Sequence, residues 1–347
     1  RLKYYEKQGI PTYFYPGLGF LGFFSKNRPE NQTKSSNEFF KKVAKEHPSG
    51  VVAVNNTFDA NCSLFIYKSE HIKEYLLHEE FLDKKSFLPD GIEVFGFFML
   101  NGDIVTRAKA LFAKFFAPEG MEPFCPQMCR IIHDVFNKFI EKRGITKDSF
   151  TRIDLSELFE PLMKRIAFLI VFGKLDVAND SDEEKLYKML YEIISAYKNL
   201  KSYPWVVIAP ALSRFLRLPS PAKKMLEIRD KQIEIMKRLV KRREEDPTPL
   251  GESVIDRMIK HNRECAQSGD LSNYIHEKEM VGTFNLFLFA GTDTSQNSLK
   301  MAICSMTDPH LKKEVDEIAT QVIDKDGIST SQQLNDSTVL TEWVKET

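Results

Sequence analysis

The sequence has no excess of charge of either sign and no long apolar run. Lysine plus arginine number 49, and aspartate plus glutamate also number 49, so the formal net charge is zero. That balance argues against a globally basic surface, and no nucleic-acid partner is expected. No stretch reaches the roughly 18 consecutive apolar residues that a membrane-spanning helix requires. Any membrane anchor is therefore expected upstream of residue 1.

Cysteine is scarce, and its placement is irregular. The five cysteines are Cys62, Cys125, Cys129, Cys265 and Cys304. An odd, scattered set does not form the disulfide framework of a small secreted protein, which favours a reducing compartment. Cys125 and Cys129 could share a helix face, but no second cysteine pair accompanies them, so no metal site is predicted.

Phenylalanine, by contrast, is abundant at 27 residues, which indicates bulky apolar cores or an apolar pocket. Proline, glycine and aromatic residues crowd positions 10–24, which predicts an extended lead-in rather than a helix. Residues 1–24 together are assigned as a proline- and aromatic-rich hinge. Residues 25–347 are predicted to form a single domain. Two strands are expected at 50–54 and 63–67, and Ser69 begins a helix with a favourable cap.

From residue 103 onward the apolar spacing is helical almost throughout. Helices are predicted at 106–116, 125–143, 155–172, 182–202, 222–245 and 252–260, with a polar loop at 262–272. The proline-broken, aromatic segment 203–221 is either a buried connection or an apolar lid that covers a pocket or dips into a membrane. The predicted fold class is mainly α with a small N-terminal β-sheet.

The segment 277–306 carries the clearest chemical signal. It is apolar nearly all round between residues 281 and 290, which predicts a helix through the interior. Ala-Gly-Thr-Asp-Thr follows at 290–294, although glycine, threonine and aspartate all disfavour helix. A buried Asp293 would also need a partner or a shifted pKa. A kink or close helix crossing at Gly291 is one explanation, and a functional site is the other.

Ala-Gly-x-Asp-Thr within a long buried helix resembles the oxygen-binding motif of the haem-thiolate monooxygenases, the cytochromes P-450. The resemblance implies that Ala290 and Gly291 let this helix lie against a haem face. It implies that Thr294 opens a groove for dioxygen and supplies a hydrogen bond. Asp293 would help to deliver the protons that splitting the O–O bond requires.

Other segments of the sequence resemble the same family. Residues 10–24 are similar to its proline-rich hinge, and 308–318 to its Pro-Glu-x-Gln helix. Residues 338–347 are similar to the start of its Glu-x-x-Arg helix, with Glu346 as the glutamate. The resemblance implies a cytochrome P-450-like fold that stops before the loop with the axial cysteine, since none of the five cysteines stands in such a loop.

One departure concerns the haem propionate. The family's Gly-x-x-Trp-x-x-x-Arg pattern, aligned on Gly102, has Val105 and Lys109 at its two large positions. Lys109 keeps the positive charge but lacks the planar fork of arginine, and Val105 offers no hydrogen bond.

The resemblance implies haem b as cofactor, with O2, a reductase and an apolar small molecule as partners. The expected reaction of the intact parent is insertion of one oxygen atom into that substrate. The alternative is a catalytically inactive structural or partner-binding subunit without thiolate-bound haem. Contact with a membrane surface is expected, on the cytosolic face of the endoplasmic reticulum or in mitochondria.

Overall fold

The structure is a computed structural model, and it describes most of the chain. The described residues are 2–14, 41, 44–55, 62–77, 103–113, 115–146, 152–200, 221–306, 309–322 and 331–337. The chain divides into two compact units, one formed by 1–85 with 201–220 and the other by 86–200 with 221–347. The prediction that residues 25–347 form a single domain stays a prediction.

The first unit contains a small sheet between short helices. Its elements are α1 (Leu2–Lys7), β1 (Thr12–Phe14), β2 (Val51–Asn55), β3 (Cys62–Ile66) and α2 (Ser69–Leu77). β2 is central, parallel to β1 and antiparallel to β3. Val52 and Ala53 on β2 are fully buried. The predicted strands and the Ser69 helix are therefore confirmed, and β1 is an additional strand within the sequence predicted as a hinge.

All regular secondary structure described in the second unit is helical. Its helices are α3 (Asp103–Ala113), α4 (Pro118–Met121), α5 (Cys125–Arg143), α6 (Leu155–Phe172), α7 (Asp182–Leu200), α8 (Pro221–Glu245), α9 (Val254–Ser268), α10 (Glu277–Ser305), α11 (Pro309–Val322) and α12 (Ser331–Asp336). The fold class, mainly α with a small N-terminal sheet, is confirmed. No helix in the described part of the chain is long and apolar enough to cross a membrane.

The prediction of a polar loop from residue 262 is wrong, because α9 continues to Ser268. Asn262 is buried, and its side-chain amide donates to the carbonyl of Ile275 over 2.9 Å while its oxygen accepts from the Ile275 amide over 2.8 Å. A polar side chain that is satisfied in this way can lie inside a helix. The helix ends at Gly269, whose φ of 74° suits the left-handed conformation of a C-cap.

The core of the second unit lies where α10 packs along α6, with α8 and α9 beside them. Phe172 of α6 stacks on Phe284 of α10 with ring centroids 5.3 Å apart. Asp154 caps the start of α6 by accepting from the Ser156 amide over 2.8 Å. Gly173, with a φ of 69°, ends the helix. These features fix α6 against the helix that carries the motif.

Three predictions lie outside the described residues. They are the nature of segment 203–221, most of the hinge, and the assignment of Glu346 to a Glu-x-x-Arg helix.

Candidate active site

The motif marks the point at which α10 changes from a buried helix to one with an open face. Residues 280–285 are all buried, which for consecutive helical positions means that every side is covered. From Gly291 onward exposed positions recur to the last turn, including Thr294 and Met301. The expected passage through the interior is confirmed for the N-terminal half of α10. Leu288 is fully buried and Phe287 and Phe289 pack against the core.

Phe287, Gly291 and Thr294 share one face of α10, because four and three residues separate them. Phe287 is half-buried, and Gly291 and Thr294 are exposed. A Cβ atom added at Gly291 would meet no heavy atom within 4 Å. A close helix crossing at Gly291 is therefore not seen among the described residues. The glycine leaves the backbone open on the side where Thr294 lies.

The two threonines of the motif have different surroundings. Thr292 is buried, and its hydroxyl donates to the carbonyl of Leu288 over 2.6 Å. Thr294 is exposed, and its hydroxyl donates to the carbonyl of Ala290. Residues two apart on a helix lie about 200° apart around the axis. Thr292 therefore faces the core, whereas the hydroxyl of Thr294 is accessible from the open face.

The sequence-based expectation of a buried Asp293 is wrong, because this residue is exposed. The physical reason is that the covering of α10 ends within the motif, so that only Thr292 of its polar residues faces the core.

Aromatic rings line α10 next to the open face. The ring of Phe287 makes an edge contact with Phe112 of α3 at 4.9 Å and lies 5.1 Å from the ring of Phe116. Lys109 is exposed and precedes Phe112 by three residues on α3. Residues three apart are neighbours on a helix surface, so Lys109 lies one turn from the contact between α3 and α10.

A sequence model of the cytochrome P450 family matches residues 23–347. The chain belongs to the cytochrome P450 family. A similar solved structure, described as the haem domain of cytochrome P450DA, has 16% sequence identity and a TM-score of 0.69. The similarity covers 97% of this chain and 69% of that one, and it shows the shared fold. A search of curated proteins with this sequence found no match.

Membership of the cytochrome P450 family implies haem, and the open face of α10 fits its distal side. Gly291 presents bare backbone, and a Cβ atom there would have no heavy atom within 4 Å, so this is a surface that a flat ring can approach. Half-buried Phe287 supplies apolar contact at the same face. Lys109, which the sequence suggests as a partner of a propionate, is an exposed cation without the planar fork of arginine.

All five cysteines lie in regular secondary structure. Cys125 is buried on α5 and its thiol lies 3.7 Å from the carbonyl of Met121. Cys265 is buried on α9, 3.5 Å from Nε2 of His261. Cys129 and Cys304 also lie within helices, and Cys62 begins β3. The fit to haem described above therefore rests on the open face of α10 and not on a cysteine.

Sequence reasoning missed one polar feature of the same helix. Gln232 of α8 and Asn285 of α10 are buried and hydrogen-bonded to each other. In the sequence, Asn285 is a carboxamide within the apolar run 281–290. Gln232 lies on the face of α8 that also carries the buried residues Ile228, Ile235 and Met236. Only the fold could show that these residues, 53 positions apart, are partners.

Proposed function

We propose that this chain forms the distal side of a haem-thiolate monooxygenase that inserts one atom of O2 into an apolar substrate. The observation that carries the proposal is the open face at Gly291, with the hydroxyl of Thr294 beside it. Placing a glycine and two threonines in mid-helix disfavours the helix locally, and such a departure in a strong element is typical of functional sites. Family membership supports the same reaction class.

Haem, when bound, supplies the centre at which dioxygen is activated, with electrons from a redox partner. The residues of α10 then have separate tasks. Ala290 and Gly291 keep the helix surface flat enough for close approach of the ring. Thr294 can turn its hydroxyl from the carbonyl of Ala290 towards the open face and donate a hydrogen bond there. Asp293 takes protons from water and passes them on towards Thr294.

The phenylalanines next to the open face give the site an apolar surface. Phe287 and Phe112 are packed edge to face, and Phe112 is only 4% exposed. The same apolar surface favours an apolar substrate, and the group bound is proposed to be haem b.

The second candidate function is an inactive structural or partner-binding subunit. Lys109 and Val105 stand where the family has arginine and tryptophan. This difference favours weaker haem binding, because lysine lacks the planar fork of arginine and valine offers no hydrogen bond. The intact sequence of residues 290–294 favours the enzyme, since a structural subunit has no use for residues that disfavour its central helix.

The deciding experiment uses protein expressed from the complete coding sequence. The purified protein is expected to contain b-type haem by pyridine haemochrome analysis. After reduction and exposure to CO it should show the Soret shift of a thiolate-ligated iron. Apolar test substrates with a reductase should give oxygenated products. A folded protein that takes up no haem during expression or reconstitution would establish the structural subunit instead.

We also propose attachment to a membrane surface at the endoplasmic reticulum or in mitochondria. The support is the resemblance of residues 10–24 to the hinge that follows a membrane anchor in microsomal relatives. Cell fractionation with carbonate extraction tests this proposal. Recovery in the soluble fraction at every ionic strength would contradict it.

A further inference from the structure

A pair of carboxamides crosses the core between α8 and α10. Nε2 of Gln232 donates to Oδ1 of Asn285 over 2.9 Å, and Nδ2 of Asn285 donates to Oε1 of Gln232 over 3.0 Å. The two residues are 0% and 2% exposed. Each side chain is thus donor and acceptor to the other, and the two bonds form only in one relative orientation of the helices.

Both residues have buried apolar neighbours on their own helices. One turn away, these neighbours include Ile228, Ile235 and Met236 on α8 and Val281 and Leu288 on α10. Burial takes a carboxamide out of water, and only a partner of matched geometry offsets the loss. Two leucines would fill similar space without needing such a match. A gain in stability therefore does not explain why an amide pair lies here. The pair is explained if it specifies one relative arrangement of the two helices.

Apolar side chains tolerate small changes in helix register, but this pair does not. A shift of one residue rotates each side chain by about 100° around the helix axis. Such a rotation would separate Gln232 from Asn285 and leave both amides without each other in an apolar interface. A single buried polar pair is known to fix register between packed helices in this way.

The register set at Asn285 also determines where Thr294 points. Nine helical residues correspond to about 900°, which is two and a half turns, and to about 13.5 Å along the axis. Thr294 therefore lies on the opposite side of α10 from Asn285. With Asn285 held against α8, Thr294 must face the open side, as its exposure shows.

We propose that Gln232 and Asn285 are positioning residues, which set the rotation and register of α10 and thereby aim Thr294 and Asp293 at the reacting oxygen. The inference rests on the proposed function for its catalytic consequence. The pair acts only through α10, without touching substrate or cofactor. Its effect on catalysis should consequently be separable from its effect on stability.

The experiment compares three variants in protein expressed from the complete coding sequence. They are Asn285→Leu, the double variant Gln232→Leu/Asn285→Leu, and the swap Gln232→Asn/Asn285→Gln. The single variant should lower the melting temperature, because the amide of Gln232 loses its partner. The double variant should have a melting temperature close to the wild-type value, because it leaves no buried amide without a partner. The swap keeps a reciprocal amide pair and should behave as the wild type.

The decisive readouts are coupling and local hydrogen exchange. In the double variant the ratio of product to released hydrogen peroxide should fall, by up to about 10²-fold for a displacement of about 1 Å. Amide exchange across residues 286–295 should accelerate although the melting temperature is near the wild-type value. The swap should restore both. Met236→Leu alters packing at the same interface without touching the amides, and should change neither readout.

A double variant with wild-type coupling and wild-type exchange would overturn the inference, and so would one that fails to fold, since stability would then explain the pair. The two proposals fail in different ways. A wild-type protein without haem or product refutes the proposed function. In that case, hydrogen exchange in the double variant and the swap still tests whether the pair sets the rotation and register of α10.

Discussion

Thr292 and Thr294 show how two identical residues in one helix acquire different roles. Both donate a hydrogen bond to the carbonyl four residues earlier. Thr292 does so in the core, where the carbonyl of Phe289 is a second acceptor, whereas Thr294 does so at the open face of α10. The buried threonine therefore provides a matched control for the exposed one.

Thr294→Ala should uncouple oxygen reduction from substrate oxidation. Only a small exposed hydroxyl is lost, so haem content and substrate binding should stay near wild type. Product formation should fall by on the order of 10²-fold while hydrogen peroxide rises, because one positioned proton donor is gone. The measurement is the ratio of product to peroxide per reducing equivalent.

Thr292→Ala is the control for that variant. Its hydroxyl faces the core, so it should lower stability by roughly 1 kcal/mol and leave the product-to-peroxide ratio unchanged. Equal uncoupling in both variants would show that any loss at this turn disturbs α10, and would remove the specific role of Thr294.

Gly291→Ala should change stability and haem binding in opposite directions. A Cβ at this position meets nothing within 4 Å, so the exposed helix should gain about 0.5–1 kcal/mol from the better helix former. If a haem face lies against Gly291, the same methyl group obstructs it and haem content should fall. Thermal unfolding of haem-free protein and haem titration measure the two effects.

Asn297→Ala serves as the comparison for Gly291→Ala. Asn297 is also exposed on α10 but lies about 240° around the axis from Gly291. This variant should gain stability without losing haem. Undiminished haem affinity in Gly291→Ala would place the cofactor elsewhere.

The sequence predicts the motif but not the burial of its members. The apolar run before Ala290 shows that α10 is internal, yet no pattern within α10 reveals where its covering helices end. That boundary depends on α3, α6 and α8, which are distant in sequence. For this reason the sequence predicts a buried Asp293 where the fold exposes it, and it does not predict the partnership of Gln232 with Asn285.

At the scale of elements, the start of α7 shows how ion pairs connect helices. Three consecutive acids are buried there, and each has its own basic partner. Asp182 binds Arg238 and Arg242 of α8 over 2.9 and 2.7 Å, Glu183 pairs with Lys174, and Glu184 pairs with Lys164 over 2.8 Å. In the sequence these acids resemble any acidic first turn of a helix. In the fold, Asp182 connects α7 to α8 through its ion pairs with Arg238 and Arg242.

Asp182→Asn should lower stability near neutral pH. The hydrogen bond from Arg238, with Arg242 adding to it, holds the pKa of Asp182 below its usual value. Losing charged hydrogen bonds of this kind should lower the free energy of unfolding by roughly 1–3 kcal/mol. Because the two arginines are half-exposed and solvent screens their charge, we expect a value at the lower end of that range. Urea unfolding of wild type and variant measures the difference.

The pH dependence of that difference has a definite sign. A carboxyl whose pKa is lowered on folding stabilises the folded state above its unfolded pKa of about 3.9. That stabilisation is lost as the pH falls through the lower folded value. The variant and the wild type should therefore converge below about pH 4. Asp230→Asn is the control, because it removes an exposed ion pair with Arg229 and should change the free energy of unfolding at neutral pH much less.

For the whole molecule, the helical framework follows from apolar spacing, and the predicted helices of the second unit are present. The sequence does not predict β1, because three residues within a proline-rich and aromatic stretch carry no alternation of their own. The parallel pairing of β1 with β2 supplies the hydrogen bonds that make it a strand. Long-range pairing of this kind is set by the fold rather than by local sequence.

The last prediction concerns which part of the molecule can hold thiolate-ligated haem. Residues 1–347 include the open face of α10 that we propose as the distal side, but their five cysteines lie in helices or at the start of a strand. Haem added to this stretch alone should consequently bind weakly and show no thiolate Soret shift with CO after reduction, since distal contacts cannot replace the axial ligand. Protein from the complete coding sequence, treated identically, is the comparison. A stable thiolate spectrum from residues 1–347 would contradict the prediction, and single substitution of each cysteine by alanine would then identify the ligand.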